Sequence, residues 1–346
     1  MIVNFRYLIW LFAAFMAVSC LQAPSEGQAG SGMYARYFEI PEGESGVVII
    51  SPADGARDTL RFDEPMDNMI CMSSSHVACL SAIGAGNAVS AVSGLRFISD
   101  SLIHGGGVYD IGYENSLDYE RIMSLDPDLV VAYTVSGAQP QYISKLRSLG
   151  IPVAIIHDHL ETHPLARAEY VRLFGALTGH MDEADSLFSV VCGRYESLAG
   201  SVSPKTRVNV LLNIPYGDAW YVPGKSGYMS RLIDDAGGNV LGAKEGSASS
   251  VISLEHAYRL SKKADMWLNP GHCRTRKELS LIHQLFPSFG PMDDGLPIYN
   301  NTARVNPEGG NDFWESGAVR PDLILEDLIA IFNGTADSLQ YYIPLE

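Results

Sequence analysis

Positive charge is scarce in this chain. Lys and Arg total 24 against 40 Asp and Glu, a formal net charge of -16 over 346 residues. A nucleic-acid binder needs a cationic surface against phosphates, so that class is excluded, although one local basic pocket is not. Cysteine is scarce too. Beyond Cys20 there are Cys71, Cys79, Cys192 and Cys273, with no CxxC pair; they read as buried free thiols acting as small core hydrophobes. After the first 20 residues no apolar run is long enough to span a bilayer, which excludes a polytopic membrane protein. The GxSxG, HExxH and Walker A patterns are all missing, and neither Gly105-Gly106-Gly107 nor Gly224-Lys225-Ser226 has phosphate-loop spacing. With 47% apolar and 18% charged residues, a sizeable core can form, and the length suggests two domains.

What is present begins with an address. Residues 1–19 read as a signal peptide: Arg6 is the lone charge and Tyr7 to Val18 is continuously apolar. Ala17-Val18-Ser19-Cys20 resembles the lipobox of bacterial lipoproteins, which makes Cys20 the expected lipidation site and residues 20–44 a lipid-anchored tether in the bacterial cell envelope.

Two α/β halves follow. In the first, over residues 45–163, GVVII and DTLRF read as opening strands, and MICM, Ala88 to Val92, DLVVAY and Pro152 to Ile156 as further strands. Helices are expected at His76 to Ile83, Tyr119 to Leu125 and Gln141 to Leu149. Residues 164–203 read as almost wholly helical, interrupted at Gly179 and restarted by Asp182 as a cap, long enough to bridge two lobes. The second half, residues 204–346, repeats the alternation, with strands at VNVLLNI, Trp220 to Val222, DMWL and Ile298 to Tyr299 and a closing helix from Arg320 to Phe332. Alternating strands and helices predict parallel sheets.

One segment carries a family likeness. Leu117-Asp118-Tyr119-Glu120-Arg121-Ile122, then Pro127-Asp128-Leu129-Val130-Val131 and Gly150-Ile151-Pro152-Val153, resembles the first-lobe signature of ABC-importer substrate-binding proteins for iron complexes and vitamin B12. Ser253-Leu254-Glu255-His256 with Ala264-Asp265, Gly237-Gly238, and Gly309 through Gly317 resemble its second-lobe counterpart. The resemblance implies an α/β fold of two Rossmann-like lobes joined by a long inter-lobe helix, with ligand held between them at the carboxyl ends of strands. It implies no catalysis and no resident cofactor: the bound iron chelate is the transported ligand. A ferric siderophore is the first choice, with corrinoid or haem behind it, and the partners are an ABC permease and its ATPase serving a monomer. Glu120 and Glu255 fall at the positions that dock onto permease arginines.

Cleft candidates come from loops that follow strands: Ser74, Ser75, His76, Tyr133, Trp220, Tyr221, Lys225, Asn311, Trp314 and Arg320. Aromatics offer flat contact area and the cations neutralise an anionic complex. His157, Asp158, His159, Glu161 and His163 have the residue types of a zinc site, yet read as a polar surface loop away from the cleft, so no metal site is assigned. Two other readings stay open: a metal-binding lipoprotein using that histidine cluster, and a two-lobed enzyme of chelate processing.

Overall fold

The computed structural model describes residues 34–51, 57–101, 103–134, 140–203 and 207–346. The expected signal segment and Cys20 lie outside them.

The first lobe is a five-stranded parallel sheet in the order β6-β5-β4-β7-β8, built from β4 (Met69–Cys71), β5 (Val89–Val92), β6 (Tyr109–Asp110), β7 (Leu129–Tyr133) and β8 (Val153–Ile156). Its strands are apolar on both sides because both faces are covered. Met69, Cys71, Leu129, Val131 and Ile156 face the inner helices α1 (Ser74–Ala82) and α5 (Tyr170–Thr178). Ile70, Val130, Ala132 and Val153 face α2 (Tyr119–Leu125) and α3 (Gln141–Ser148), through Ile122, Tyr142, Ile143 and Leu146.

The two opening strands take a different place from the expected one. β1 (Phe38–Glu39), β2 (Val47–Ile50) and β3 (Asp58–Arg61) form a separate antiparallel sheet. Gly46 turns the chain into β2 at φ 70°, where a side chain would run into the Phe62 carbonyl. The tether therefore ends sooner than residue 44. Tyr34 and Ala35 donate their N–H groups to the buried Glu169 carboxylate at 2.8 Å each, and Arg36 and Tyr37 donate to Glu161 at 2.7 and 3.1 Å. Four backbone donors thus find partners in two carboxylates that burial alone would penalise.

The helical stretch breaks into α4 (Pro164–Ala168), α5 and α6 (Met181–Ser201). The break at Glu169 is the residue that holds the N-terminal strap; Gly179 closes α5 in the left-handed conformation. Asp182 lies within the first turn of α6 and His180 occupies the cap position, one turn-start earlier than expected. At 1.5 Å per residue α6 spans about 30 Å, and it packs on α5 of the first lobe and on the helix Pro321–Phe332 of the second.

The second lobe has the order β11-β9-β13-β14-β15, from β9 (Val208–Leu212), β11 (Gly238–Val240), β13 (Met266–Leu268), β14 (Ile298–Asn300) and an antiparallel edge strand β15 (Ile343–Pro344). β10 (Trp220–Val222) leaves this sheet and pairs with β12 (Ser250–Ile252) as a ribbon. The helices are α7 (Tyr228–Asp235), α8 (Leu254–Ser261), α9 (Arg276–Ile282), α10 (Gly290–Asp293), α11 (Ser316–Val319) and α12 (Pro321–Phe332). Trp220, Trp267, Phe286 and Phe289 stack into an aromatic core with centroids 5.2 to 6.2 Å apart. Helix α1 is buried at the junction, against α5 on one side and α11 on the other.

Candidate functional site between the lobes

In the first lobe the strand order reverses between β4 and β7, and open α/β sheets bind ligands at the carboxyl ends beside such a reversal. Three loops end there. After β4, Ser73 and Ser75 share a hydrogen bond of 2.9 Å, Ser74 is half-buried, and Ser75 Oγ donates to Asp158 Oδ2 at 2.8 Å. His76 is 1% exposed, 4.0 Å from Asp158, and neither ring nitrogen has a hydrogen-bond partner. At the end of β7, Tyr133 lies 6.3 Å from the His159 ring. After β8 come Asp158 and His159.

The histidine run is thus no surface loop away from the cleft. It follows β8 at the carboxyl edge, and Glu161 is 2% exposed beneath the strap. Among the described residues, no group of three or more His, Cys, Asp or Glu is arranged to hold a metal ion. Burial alone would raise the Asp158 carboxyl. The hydrogen bond at His159, the His76 imidazole and the Ser75 hydroxyl outweigh it and hold Asp158 well below the usual carboxylate range. Burial lowers the His76 imidazole, and lowers His163 to about 4. His163 is accordingly neutral, and its Nδ1 accepts the Leu165 N–H at the start of α4. The four cysteines are free and buried, as expected.

In the second lobe the strands end in amides. Asn213 and Asn269 follow β9 and β13 at positive φ, and the Asn300 side chain donates to the Gly271 and Cys273 carbonyls at 3.0 and 2.7 Å.

The lobes meet at a pocket of about 590 Å³. The first lobe supplies Ala78, Ser81 and Ser99; the second supplies Arg304, Glu315 and Arg320. The Ser81 and Ser99 hydroxyls are buried without a partner. Glu315 clasps the first lobe, accepting the Ser99 N–H at 2.8 Å and the Asp100 N–H at 2.9 Å, and burial pushes its carboxyl up to about 7. Beside it Asn306 donates to the Arg96 and Ile98 carbonyls, and Gly310 lies so close to the Phe97 carbonyl that a Cβ could not fit. A second inter-lobe pocket of about 350 Å³ is lined by Arg36, His163, Lys225 and Arg231.

The expected cleft residues scatter. Ser75, His76 and Tyr133 come together with Asp158 and His159. Arg320 lines the larger pocket, held by two hydrogen bonds to Asp322. Lys225 lines the smaller one, paired to Glu245. Asn311 caps the turn Asp312–Trp314, Trp314 is 46% exposed, and Tyr221 is exposed on β10. Trp220 departs most from expectation. It is 1% exposed, stacked in the aromatic core, and its Nε1 donates to the Leu212 carbonyl, so no face is left for a ligand. Sequence reasoning places Asp158 in a surface loop and singles out none of Arg167, Arg304 and Glu315, nor Tyr113 and Tyr216, exposed aromatics in loops after β6 and β9. Tyr216 had a signal, an aromatic just past the expected strand VNVLLNI; Tyr113 follows β6, a two-residue strand that no pattern marked, and the others are assembled only by tertiary contact.

The sequence profile of the periplasmic binding protein family matches residues 69–280, more than half of the chain. The chain belongs to the periplasmic binding protein family. It is also similar to the uncharacterised lipoprotein MJ0878 of Methanocaldococcus jannaschii, 24% identical over 287 residues, which are 79% of this chain and 66% of that relative's length. Among solved structures it is similar to the vitamin B12-binding protein BtuF of Vibrio cholerae, with TM-score 0.58 and 13% identity over 80% of this chain and all of that one. It is similar too to a protein of an ABC-type Fe3+-hydroxamate transport system from Saccharomonospora viridis, with TM-score 0.57 and 17% identity over 80% of this chain and 96% of that one. The two-lobed α/β fold expected from the sequence is the fold of these proteins. As a member of this family the chain is a solute-binding protein, not an enzyme, and works outside the cytoplasm. No described helix is long and apolar enough to cross a membrane.

Glu120 and Glu255 stand in matching places in the two lobes. Each is exposed at the second position of its helix, behind a cap: Asp118 accepts the Arg121 N–H and Ser253 accepts the His256 N–H. Glu255 also pairs with Arg259 at 2.6 Å, one turn along α8.

Proposed function

We propose that this periplasmic binding protein is the substrate-binding component of an ABC importer, capturing an iron chelate, a ferric siderophore, between its lobes and delivering it to a membrane permease and its ATPase. The observation that carries the reading is the 590 Å³ pocket built by both lobes, within the size range of small-molecule sites, with Arg304 and Arg320 on its wall. Binding draws the lobes together; Glu120 and Glu255 then dock, fixing orientation more than affinity. Corrinoid or haem in the same role is the neighbouring reading, favoured by the structural likeness to a vitamin B12-binding protein. A lipid on Cys20 holds the monomer at the membrane. The chelate is cargo, and no resident cofactor takes part.

The test is a fluorescence titration of residues 21–346 with ferric siderophores, cyanocobalamin and haemin. Trp220 and Trp267 are buried and Trp314 is exposed, so Trp314 is the reporter and Trp314→Phe the control. Saturable quenching by one class at sub-micromolar concentration, lost in the control while calorimetric binding persists, supports the reading. No binding of any class by calorimetry overturns it.

A further inference from the structure

The two arginines on the wall of the larger inter-lobe pocket are already answered from within the chain. Arg304 pairs with the buried Asp312 at 2.9 Å, and Asp312 also accepts from the Ser316 hydroxyl at 2.7 Å. Arg320 makes two hydrogen bonds, of 2.9 and 2.7 Å, to the fully buried Asp322 behind it. Glu315 is occupied by the N–H groups of Ser99 and Asp100. The Asn306 side chain is engaged at both ends: it donates to the Arg96 and Ile98 carbonyls and accepts the Glu308 and Gly310 N–H groups.

The balance of charge at this wall is negative. Asp100 lines the pocket as well, so the carboxyls of Asp100, Asp312, Glu315 and Asp322 stand against two guanidiniums. Burial pushes Glu315 up to about 7, and with its proton on, the other three still outnumber the cations. An anion that entered here would give up its water and meet no unpaired positive charge in return.

The groups that lack partners are uncharged. Ser81, in the last turn of α1, and Ser99, in the loop after β5, both line the pocket, and both hydroxyls are buried with no hydrogen-bond partner. A serine hydroxyl donates or accepts, and its staggered positions are interchangeable at little cost. Left unpaired it is a penalty that an incoming acceptor removes. Beside the two serines the wall is apolar, with Ala78, Ala82, Val305 and Val319.

We infer that this pocket takes a chelate without net negative charge, with Ser81 and Ser99 donating to its amide or hydroxamate oxygens and its methylene groups lying on the alanines and valines. This rests on the solute-binding reading above and narrows it: catecholate chelates and haem, with its propionates, are disfavoured, and hydroxamate chelates and corrinoids are admitted.

The experiment compares wild type and the double variant Ser81→Ala with Ser99→Ala by calorimetry against ferrioxamine B and cyanocobalamin, which carry no net negative charge, and against ferric enterobactin and haemin, which do. The expected result is that wild type binds ferrioxamine B or cyanocobalamin at least tenfold more tightly than either anionic chelate. Raising salt from 50 to 500 mM narrows that gap, because screening weakens the repulsion. The double variant weakens the preferred ligand about tenfold at an unchanged melting temperature. A wild type that binds ferric enterobactin or haemin best overturns the inference. So does equal binding of the preferred ligand by wild type and the double variant, and so does a general loss of binding with a lowered melting temperature, which marks a structural role for the serines. A wild type that binds none of the four removes the solute reading itself, and the inference falls with it.

Discussion

The two lobes are built alike and finished differently. Each is a mainly parallel sheet whose first strand lies inside it, β4 in one and β9 in the other. Yet the first lobe ends its strands in Ser75, His76, Asp158 and His159, and the second ends its own in Asn213, Asn269, Asn300 and Asn301. Amides keep one charge state at every pH; imidazoles and carboxylates do not. The cores differ in the same spirit. The outer face of the first sheet is packed mainly by Ile, Val, Leu and Ala, and the second lobe is centred on four stacked aromatics. At the strand ends the second lobe thus offers only amides, and proton-sensitive groups gather at the strand ends of the first lobe and at the junction.

The largest test of that contrast is in the cores. Trp267→Ala is expected to cost about 3–5 kcal/mol, because a fully buried indole is removed from among three aromatic neighbours. Ile143→Val in the first lobe should cost about 0.5–1.5 kcal/mol. Urea denaturation measures both, and equal costs would erase the distinction.

The next is pH. Burial pushes both Glu161 and Glu315 up to about 7, above the ordinary glutamate value of 4.5. Their contribution to stability is therefore complete below about 4.5 and is lost as pH rises to about 7, at most about 3 kcal/mol for each. Asp158 works the other way: its folded value is depressed, so its contribution is present above the unfolded value near 3.8 and is lost as pH falls through the depressed one. Melting temperature should decline from pH 5 to pH 8, and Glu161→Gln with Glu315→Gln should flatten that decline. A wild-type profile level across this range removes the two carboxyls as its source.

The smallest effect is on stability and the most specific on transport. Glu120→Ala and Glu255→Ala remove exposed side chains, so neither the melting temperature nor chelate affinity should move resolvably. Association with the permease in proteoliposomes should fall for each and fail for the pair. Unchanged association in the double variant would discard the docking positions.

How much of this was legible in the sequence depends on how local each feature is. Helix α2 was read to the residue because its cap, first turn and following Pro127-Asp128 are contiguous. β7 and β8 were legible as apolar runs bounded by Asp128 and by Gly150-Ile151-Pro152. β10 was legible as a strand, but three residues do not say which strand they pair with, and it joined β12 instead of the sheet. Trp220 shows the same limit at the level of a side chain. An aromatic after a strand suits a cleft as well as a core, and only Trp267, Phe286 and Phe289 decide between them. Asp158 and Arg167 had the least chance. One sits in a histidine run that resembles a surface loop, and the other owes its place to a carbonyl eight residues away and a ring on another lobe.

The clasp at Glu315 also has a bearing on the order in which the molecule is assembled. The N–H groups it holds, on Ser99 and Asp100, lie 216 and 215 residues earlier in the chain. The first sheet has all its strands once Ile156 is available, yet the loop from Arg96 to Asp100 stays unfastened until Asn306 and Glu315 arrive. Contacts of such long separation form late and slowly. A chain made or translocated from its N-terminus therefore carries an unlocked first lobe until the segment from Asn306 to Glu315 is present.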